Sequence, residues 1–213
     1  MKYQLSLVSG PAEETITTTA AKDYLRIDGS LEDARILTMI KAATLKLEAY
    51  LSIKFVSQVW DIYLDRFPMN GQSEWWDGVR EISVREIVSH ANIITLPLGK
   101  VLSWDQFNTY PDDGVAIPEV TSNYVFDAKG NRARVGLKLG GIWPVTILRP
   151  INGVQFRFTL GFGNAAAVPD DIKMALLEFV AHMYENRGDQ NEMKIPPHIL
   201  TLVDHYRRYK LGC

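Results

Sequence analysis

Apolar side chains at Ile36, Ile40, Ala43, Leu47 and Tyr50 recur with a 4-3-4-3 spacing, which places them on one face of a helix. The helix expected here runs from Leu31 to Leu51, roughly 21 residues, or about 31 Å at ~1.5 Å per residue. A matching stripe, Ile172, Leu176, Phe179, Val180 and Met183, appears only near the other end of the chain. The two are expected to pack together, which makes everything between them an insert. Leu37, Leu45 and Leu51 lie partly off the first stripe and suggest a second buried face, against this chain or a neighbouring subunit.

The local signals fit this arrangement. Thr17 or Thr18 can cap a short helix through Ala20 to Arg26, which Asp28-Gly29 then stops. Ser30-Leu31-Glu32-Asp33 has the form of an acidic capping box, with Ser30 as N-cap. Pro169-Asp170-Asp171 is a helix start, Arg187-Gly188 a stop, and Pro196-Pro197 opens a last helix carrying Ile199, Leu202, Val203, Tyr206 and Tyr209 on one face. Between these helices the pattern changes to strands. Val56–Leu64, Ile93–Leu96, Val101–Phe107 and above all Val154–Leu160 alternate or run apolar, and Pro111–Gly114 and Asp127–Gly130 are turns. The fold class is therefore α+β: N-terminal and C-terminal helices packed together, with a β-rich insert between them. The parts are 1–52 (helical), 53–163 (β-rich) and 164–213 (completing the helical domain). Met69–Arg85, with Trp75-Trp76, has no clear period and reads as a long mobile loop.

The residues offer little chemistry. Basic and acidic side chains number 23 and 25, a net charge of −2, and they balance in each part of the chain. That argues against a nucleic-acid or anionic-membrane binder. No apolar run approaches the ~20 residues that span a bilayer. The single cysteine, Cys213, permits no internal disulfide and fits a reducing compartment. Gly161-Phe162-Gly163-Asn164-Ala165-Ala166 superficially matches a dinucleotide fingerprint, but the helix start comes later, at Pro169, so a redirecting turn is expected instead. Glu178, His182 and Glu185 share adjacent helical turns without metal-ligand company, and no nucleophile elbow is present. The expectation is no enzyme, no cofactor and no metal. Trp75, Trp76, Trp104 and Trp143 leave one alternative, a non-catalytic module binding carbohydrate or protein through tryptophan.

Taken together, these stretches resemble a known family. Asp23–Asp28 is followed by Glu32–Ile36, then Ala42-Ala43 through Glu48-Ala49-Tyr50, Gln58-Val59-Trp60 and Leu64–Pro68. Further on come Trp143-Pro144, Thr159–Gly163, Val168–Lys173 and Val180–Arg187. This order is similar to that of the head–tail connector (adaptor) proteins of tailed bacteriophages, in the subgroup with a β-rich insert between its helices. Met69–Arg85 adds residues to that pattern, and the tail from Asp189 is only loosely similar.

The resemblance implies a structural protein of the virion neck, made in the bacterial host cytoplasm. It implies a ring of identical subunits, dodecameric, beneath the portal protein. The ring would line a channel through which double-stranded DNA passes without specific binding, and it would meet a tail or stopper protein. No membrane is involved. The C-terminal segment, where Tyr206, Arg207, Arg208, Tyr209 and Lys210 interleave bases and aromatics, is the expected portal contact, presented on a stiff helical arm. Trp75 and Trp76 are expected partner-binding residues on the long loop.

Overall fold

The computed structural model describes residues 3–68, 93–130, 132–187 and 194–207. Trp75, Trp76, the Met69–Arg85 loop, Arg208, Tyr209, Lys210 and Cys213 lie outside the described residues. Two compact units are present, a β unit from residues 1–9 and 59–159 and a helical unit from residues 10–58 and 160–213.

The helical unit contains α1 (Thr18–Leu25), α2 (Asp33–Leu51), α3 (Asp170–Glu185) and α4 (Pro197–Val203). α2 packs on α3, α3 on α4, and α1 touches both α2 and α3. The expected stripes form the core: Ile36, Ile40, Ala43, Leu47, Ile172, Leu176, Phe179 and Val180 are fully buried, joined by Ile199 and Val203. Tyr50 and Met183 are partly buried against it, whereas Leu45 and Leu202 face outward.

The helix ends depart from expectation in three places. Thr17 does cap α1, its Oγ1 accepting from Ala20 N at 3.1 Å. The helix stops earlier than Asp28-Gly29, because Arg26 turns left-handed (φ 56°) and its N–H returns to Asp23 and Lys22 carbonyls. The Ser30 capping box does not form. Glu32 occupies the cap position without a side-chain bond to the helix's own N–H groups, and Asp33, expected to reach back, instead pairs with Lys22 Nζ at 2.8 Å. Pro169 sits at the N-cap of α3, one position before the first turn, with Asp170 and Asp171 in that turn.

One polar residue inside the α2 stripe carries structural weight. Glu48 is 2% exposed. Its Oε1 accepts from Phe55 N (2.9 Å) and Gln58 Nε2 (3.1 Å), and its Oε2 from Lys54 Nζ (2.8 Å). The left-handed Ser52 (φ 57°) ends α2 and bends the chain so that these donors converge on the carboxylate. A buried carboxylate is tolerable only when its oxygens are satisfied in this way.

The β unit holds two sheets. β1 (Tyr3–Ser9), β2 (Gln58–Leu64), β4 (Val101–Thr109), β5 (Ile117–Pro118) and β8 (Val154–Leu160) form a five-stranded sheet in the order β1-β2-β8-β4-β5. β3 (Ile93–Thr95), β6 (Tyr124–Asp127) and β7 (Arg134–Leu137) form a three-stranded sheet in the order β3-β7-β6. Strand β1 corrects the expectation that the chain begins helical. It pairs antiparallel with β2, Leu5 opposite Ile62 and Leu7 opposite Trp60, and all seven of its residues are exposed.

Aromatic rings join the two sheets. Trp104 and Phe107 of β4 and Phe156 and Phe158 of β8 stack among themselves and meet Tyr124 and Phe126 of β6. Trp104 and Phe107 enter this cluster three residues apart, so the period-two alternation of β4 breaks once between them.

Candidate partner-binding surfaces

The C-terminal segment is the site the sequence singled out. α4 ends at Val203 instead of running on. A 3-10 turn follows at Asp204–Tyr206, and Arg207 is extended (φ −62°, ψ 129°) with its N–H on Asp204 O at 3.0 Å. The cause is a set of side-chain bonds that outcompete another helical turn. Tyr50 OH donates to Asp204 Oδ1 at 2.7 Å, and Arg207 Nη1 donates to Tyr50 OH at 2.9 Å while its guanidinium lies 4.2 Å from the Tyr50 ring centre. Tyr206 OH donates to Asp171 Oδ1 at 3.2 Å, and His205 Nε2 stands 3.1 Å from Asp171 Oδ2. Burial, then the Asp171 hydrogen bond, pushes the Tyr206 phenol above its ordinary pKa.

Tyr206 and Arg207 are therefore clasped onto the helical unit through Tyr50 and Asp171. The expectation of an outward stiff arm is corrected for residues 204–207. No spacing pattern would have revealed Tyr50 and Asp171 as their partners, since each is remote in sequence.

A second surface lies between α2 and α3, where a groove of about 410 Å³ is lined by Arg35, Met39, Ala42, Met183 and Arg187. Arg187 is held at its rim: its guanidinium stacks 3.9 Å from the Tyr184 ring centre, and Nη1 is 3.2 Å from Glu32 Oε1. The Tyr184 hydroxyl donates to Glu32 Oε2 and, with Arg187, holds that carboxyl below the usual carboxylate range.

The third surface is the polar face of the five-stranded sheet. On β8, Gln155, Arg157 and Thr159 alternate with the buried apolar residues, as expected, but they meet a hydrogen-bond network. Asp61 of β2, 3% exposed, receives Arg157 Nε at 2.7 Å, Arg157 Nη2 at 2.8 Å and Gln155 Nε2 at 2.6 Å. Gln155 Oε1 accepts from Asn108 Nδ2 (3.0 Å) and Tyr110 OH (2.6 Å). Thr159 Oγ1 donates to Asp105 Oδ2 at 2.6 Å. The network rigidifies the sheet without gathering a nucleophile and a base.

The remaining chemical motifs have structural uses. Gly161 and Gly163 adopt φ 125° and 126°, and a Cβ on Gly161 would lie 2.8 Å from Val56 O. Phe162 N bonds Phe55 O, and Ser57 N bonds Gly163 O, both at 2.8 Å, so these glycines allow two backbones to approach while the chain turns toward α3. His182 Nδ1 lies 3.2 Å from Asn186 Nδ2, and His198 approaches Glu178 at 3.9 Å. Among the described residues no three His, Cys, Asp or Glu side chains converge as a metal site, and no helix is long and apolar enough to cross a membrane. Trp104 and Trp143 are packed with other rings, Trp143 stacking 5.0 Å from Phe67 and 5.3 Å from Tyr124.

No protein-family model matches the chain, and no curated protein matches it. Solved structures do. The fold matches a chain in the neck of an empty gene transfer agent (GTA) particle computed with C6 symmetry, with a TM-score of 0.76 and 21% identity over 98% of this chain and 97% of that one. It matches a chain in the virion of a native GTA particle with a TM-score of 0.74 and 21% identity. It also matches a chain in the neck of a native GTA particle computed with C12 symmetry, with a TM-score of 0.70 and 20% identity. Coverage in the last two is again 98% of this chain and 97% of that one.

Proposed function

We propose that this protein is a structural component of a phage-like particle neck, a head–tail connector that assembles as a ring beneath a portal and lines the channel for DNA. The observation that carries the reading is the end-to-end fold likeness to chains of GTA necks and a GTA virion, at a TM-score of up to 0.76 over 98% of the chain. Two of those necks were computed with sixfold and twelvefold symmetry, which favours a dodecameric ring here. The net charge of −2 suits a channel that DNA traverses without being held, since each phosphate contact adds salt-dependent affinity that would retard it.

The role is non-catalytic, the site of action the neck, and the remaining partner a tail or stopper protein. The portal contact is assigned to the residues beyond the clasp, Arg208, Tyr209 and Lys210. Particles lacking the protein should contain DNA-filled heads and separate tails. Normal tailed particles in that deletion would refute the reading. Truncation after Arg207, which spares the Tyr50 and Asp171 bonds, should leave a folded subunit that no longer binds portal. Undiminished binding would remove the tail from the interface.

A further inference from the structure

The two long helices of the helical unit carry opposite charge on the faces they leave exposed. Between Ala34 and Leu47 the charged residues of α2 are Arg35, Lys41 and Lys46, all basic. Between Met174 and Glu185 those of α3 are Glu178 and Glu185, both acidic. The helices bury their apolar stripes against each other, so their remaining faces look away from one another. The helical unit is therefore basic along one side and acidic along the other.

The basic side carries the groove between α2 and α3. Met39, Ala42 and Met183 make its apolar floor, with Arg35 and Arg187 beside them. Leu45, three residues beyond Ala42, is 64% exposed and prolongs that floor along α2. Lys46 lies one turn past Ala42 and reaches over the Phe179 ring at 5.8 Å. Glu32 holds Arg187 at 3.2 Å and Glu14 stands 3.7 Å from Lys41, so acids answer two of these bases and the side stays basic.

The acidic side is the back of α3. From Met183, which lines the groove, back to Met174 is about two and a half helical turns, so the two methionines point in opposite directions. Met174, Glu178, Ala181 and Glu185 follow one another at a 4-3-4 spacing and form a single stripe. Met174 is 42% exposed and Glu185 is exposed. Glu178, 24% exposed at its side chain, has His198 beside it at 3.9 Å.

We infer that the back of α3 in one copy lies, antiparallel to α2, in the α2–α3 groove of the next copy. Ala181 sits over Ala42, two small residues that let helix axes approach to ~8 Å. In that register Glu178 comes level with Lys46 and Glu185 with Arg35, each within ~5 Å along the axis at ~1.5 Å per residue. Met174 and Leu45 widen the apolar centre, and the thioethers of Met39 and Met183 adapt to what enters. The occupant is a second copy because this chain bears the complement itself, an acidic stripe whose charges flank a small residue at the spacing the groove requires. Groove and stripe are unlike surfaces on opposite faces of one helix, so the contact runs head-to-tail and closes into a ring when its rotation allows. Groove-to-groove pairing would set base against base, which disfavours a two-fold dimer. The inference rests on the ring reading and names the surfaces that build it.

The test is a charge exchange in the full chain. Arg35→Glu and Glu185→Lys each set like charges across the contact, and each should weaken self-association in sedimentation by on the order of a hundredfold. Both positions are exposed, and each change puts the charge that the helix dipole favours at its end of the helix, so circular-dichroism melts should match wild type. Mixing the two variants restores opposite charges at every contact and should recover wild-type rings, as should one chain carrying both changes. With Cys213→Ser in place, Ala42→Cys and Ala181→Cys variants mixed and oxidised should give a mixed cross-linked pair. Rings unchanged in either single variant, or not recovered on mixing, would overturn the inference and leave the ring reading standing. A mixed cross-link with assembly stopping at two copies would keep the contact and overturn the ring. Ala42→Cys linking to itself, or to another neck protein in assembled particles, overturns the inference. So does the absence of both association and mixed link at any concentration, whereas the neck reading then stands or falls on the deletion particles.

Discussion

Glu48 offers a sharp test of how the helical unit is held together. Replacing it with alanine strips three donors of their acceptor: the buried Phe55 N–H, the Gln58 amide and the Lys54 ammonium. Lys54, 15% exposed at its side chain, can turn to water at little cost. The Phe55 N–H cannot, and an unsatisfied buried donor costs about 1–3 kcal/mol. Gln58, 6% exposed, adds a similar amount, and the lost stem leaves a small cavity at a buried position. The sum is about 3–5 kcal/mol, the range for breaking a buried pair by removing one partner. Glu48→Gln keeps one acceptor for Phe55 and should cost less, about 1–2 kcal/mol. The assay is urea unfolding followed by far-ultraviolet circular dichroism, with Lys54→Met completing a double-mutant cycle. Glu48→Ala within about 0.5 kcal/mol of wild type, the scatter of a neutral surface change, would refute the reasoning.

Other expectations follow from single residues. Burial, reinforced by the nearby Glu119 carboxylate, pushes the Tyr124 phenol up to about 12. Its folded pKa thus exceeds its unfolded one, so stability is intact below pH ~10 and falls by about 2 kcal/mol as pH rises toward 12. Tyr124→Phe should flatten that fall in alkaline unfolding curves, and an unchanged slope would contradict the assignment. Gly161→Ala would place a methyl against Val56 backbone at φ 125° and should cost about 2–4 kcal/mol; a melting temperature equal to wild type would show that the backbone can yield. Leu47→Asp, at a fully buried position, should remove ~3 kcal/mol or more by burying an unpaired charge. Wild-type stability by urea unfolding would mean that α2 buries another face.

What the sequence disclosed, and what it hid, follows from the reach of each signal. The α2 and α3 stripes and the β8 alternation are periodic, and period alone locates a buried face, so Ile36, Leu176 and Phe156 were legible. Strand β1 was passed over although Tyr3, Leu5 and Leu7 alternate with Gln4 and Ser6, because the run is only five residues long and the strand buries none of its side chains. The Ser30 box failed because Lys22, one helix away, holds Asp33. Alternation puts Gln155 and Arg157 on the face of β8 opposite its apolar residues, but only the sheet order brings Asp61 of β2 and Asn108 of β4 to that face as their partners. The same limit applies to the C-terminal segment. Tyr206 and Arg207 stood out by composition, but Tyr50 and Asp171, which clasp them, are separated from them by 156 and 35 residues or more.

The placing of residues 59–159 between the two halves of the helical unit in the chain also bears on how the chain reaches its native state. Closing α2 onto α3 across more than a hundred intervening residues would cost an open coil about 4 kcal/mol in loop entropy. Strands β2 and β8, neighbours in the sheet, are expected to bring the two ends of that coil together before the helices dock. The remaining loop then shrinks to the few residues around the Phe162–Phe55 bond. On this reasoning the insert should act as a kinetic clip: the segment made second lets the segments made first and last find each other. Pulsed hydrogen exchange should register β2 and β8 amides ahead of those in the α2–α3 contact, and protection of the helices first would reverse the order.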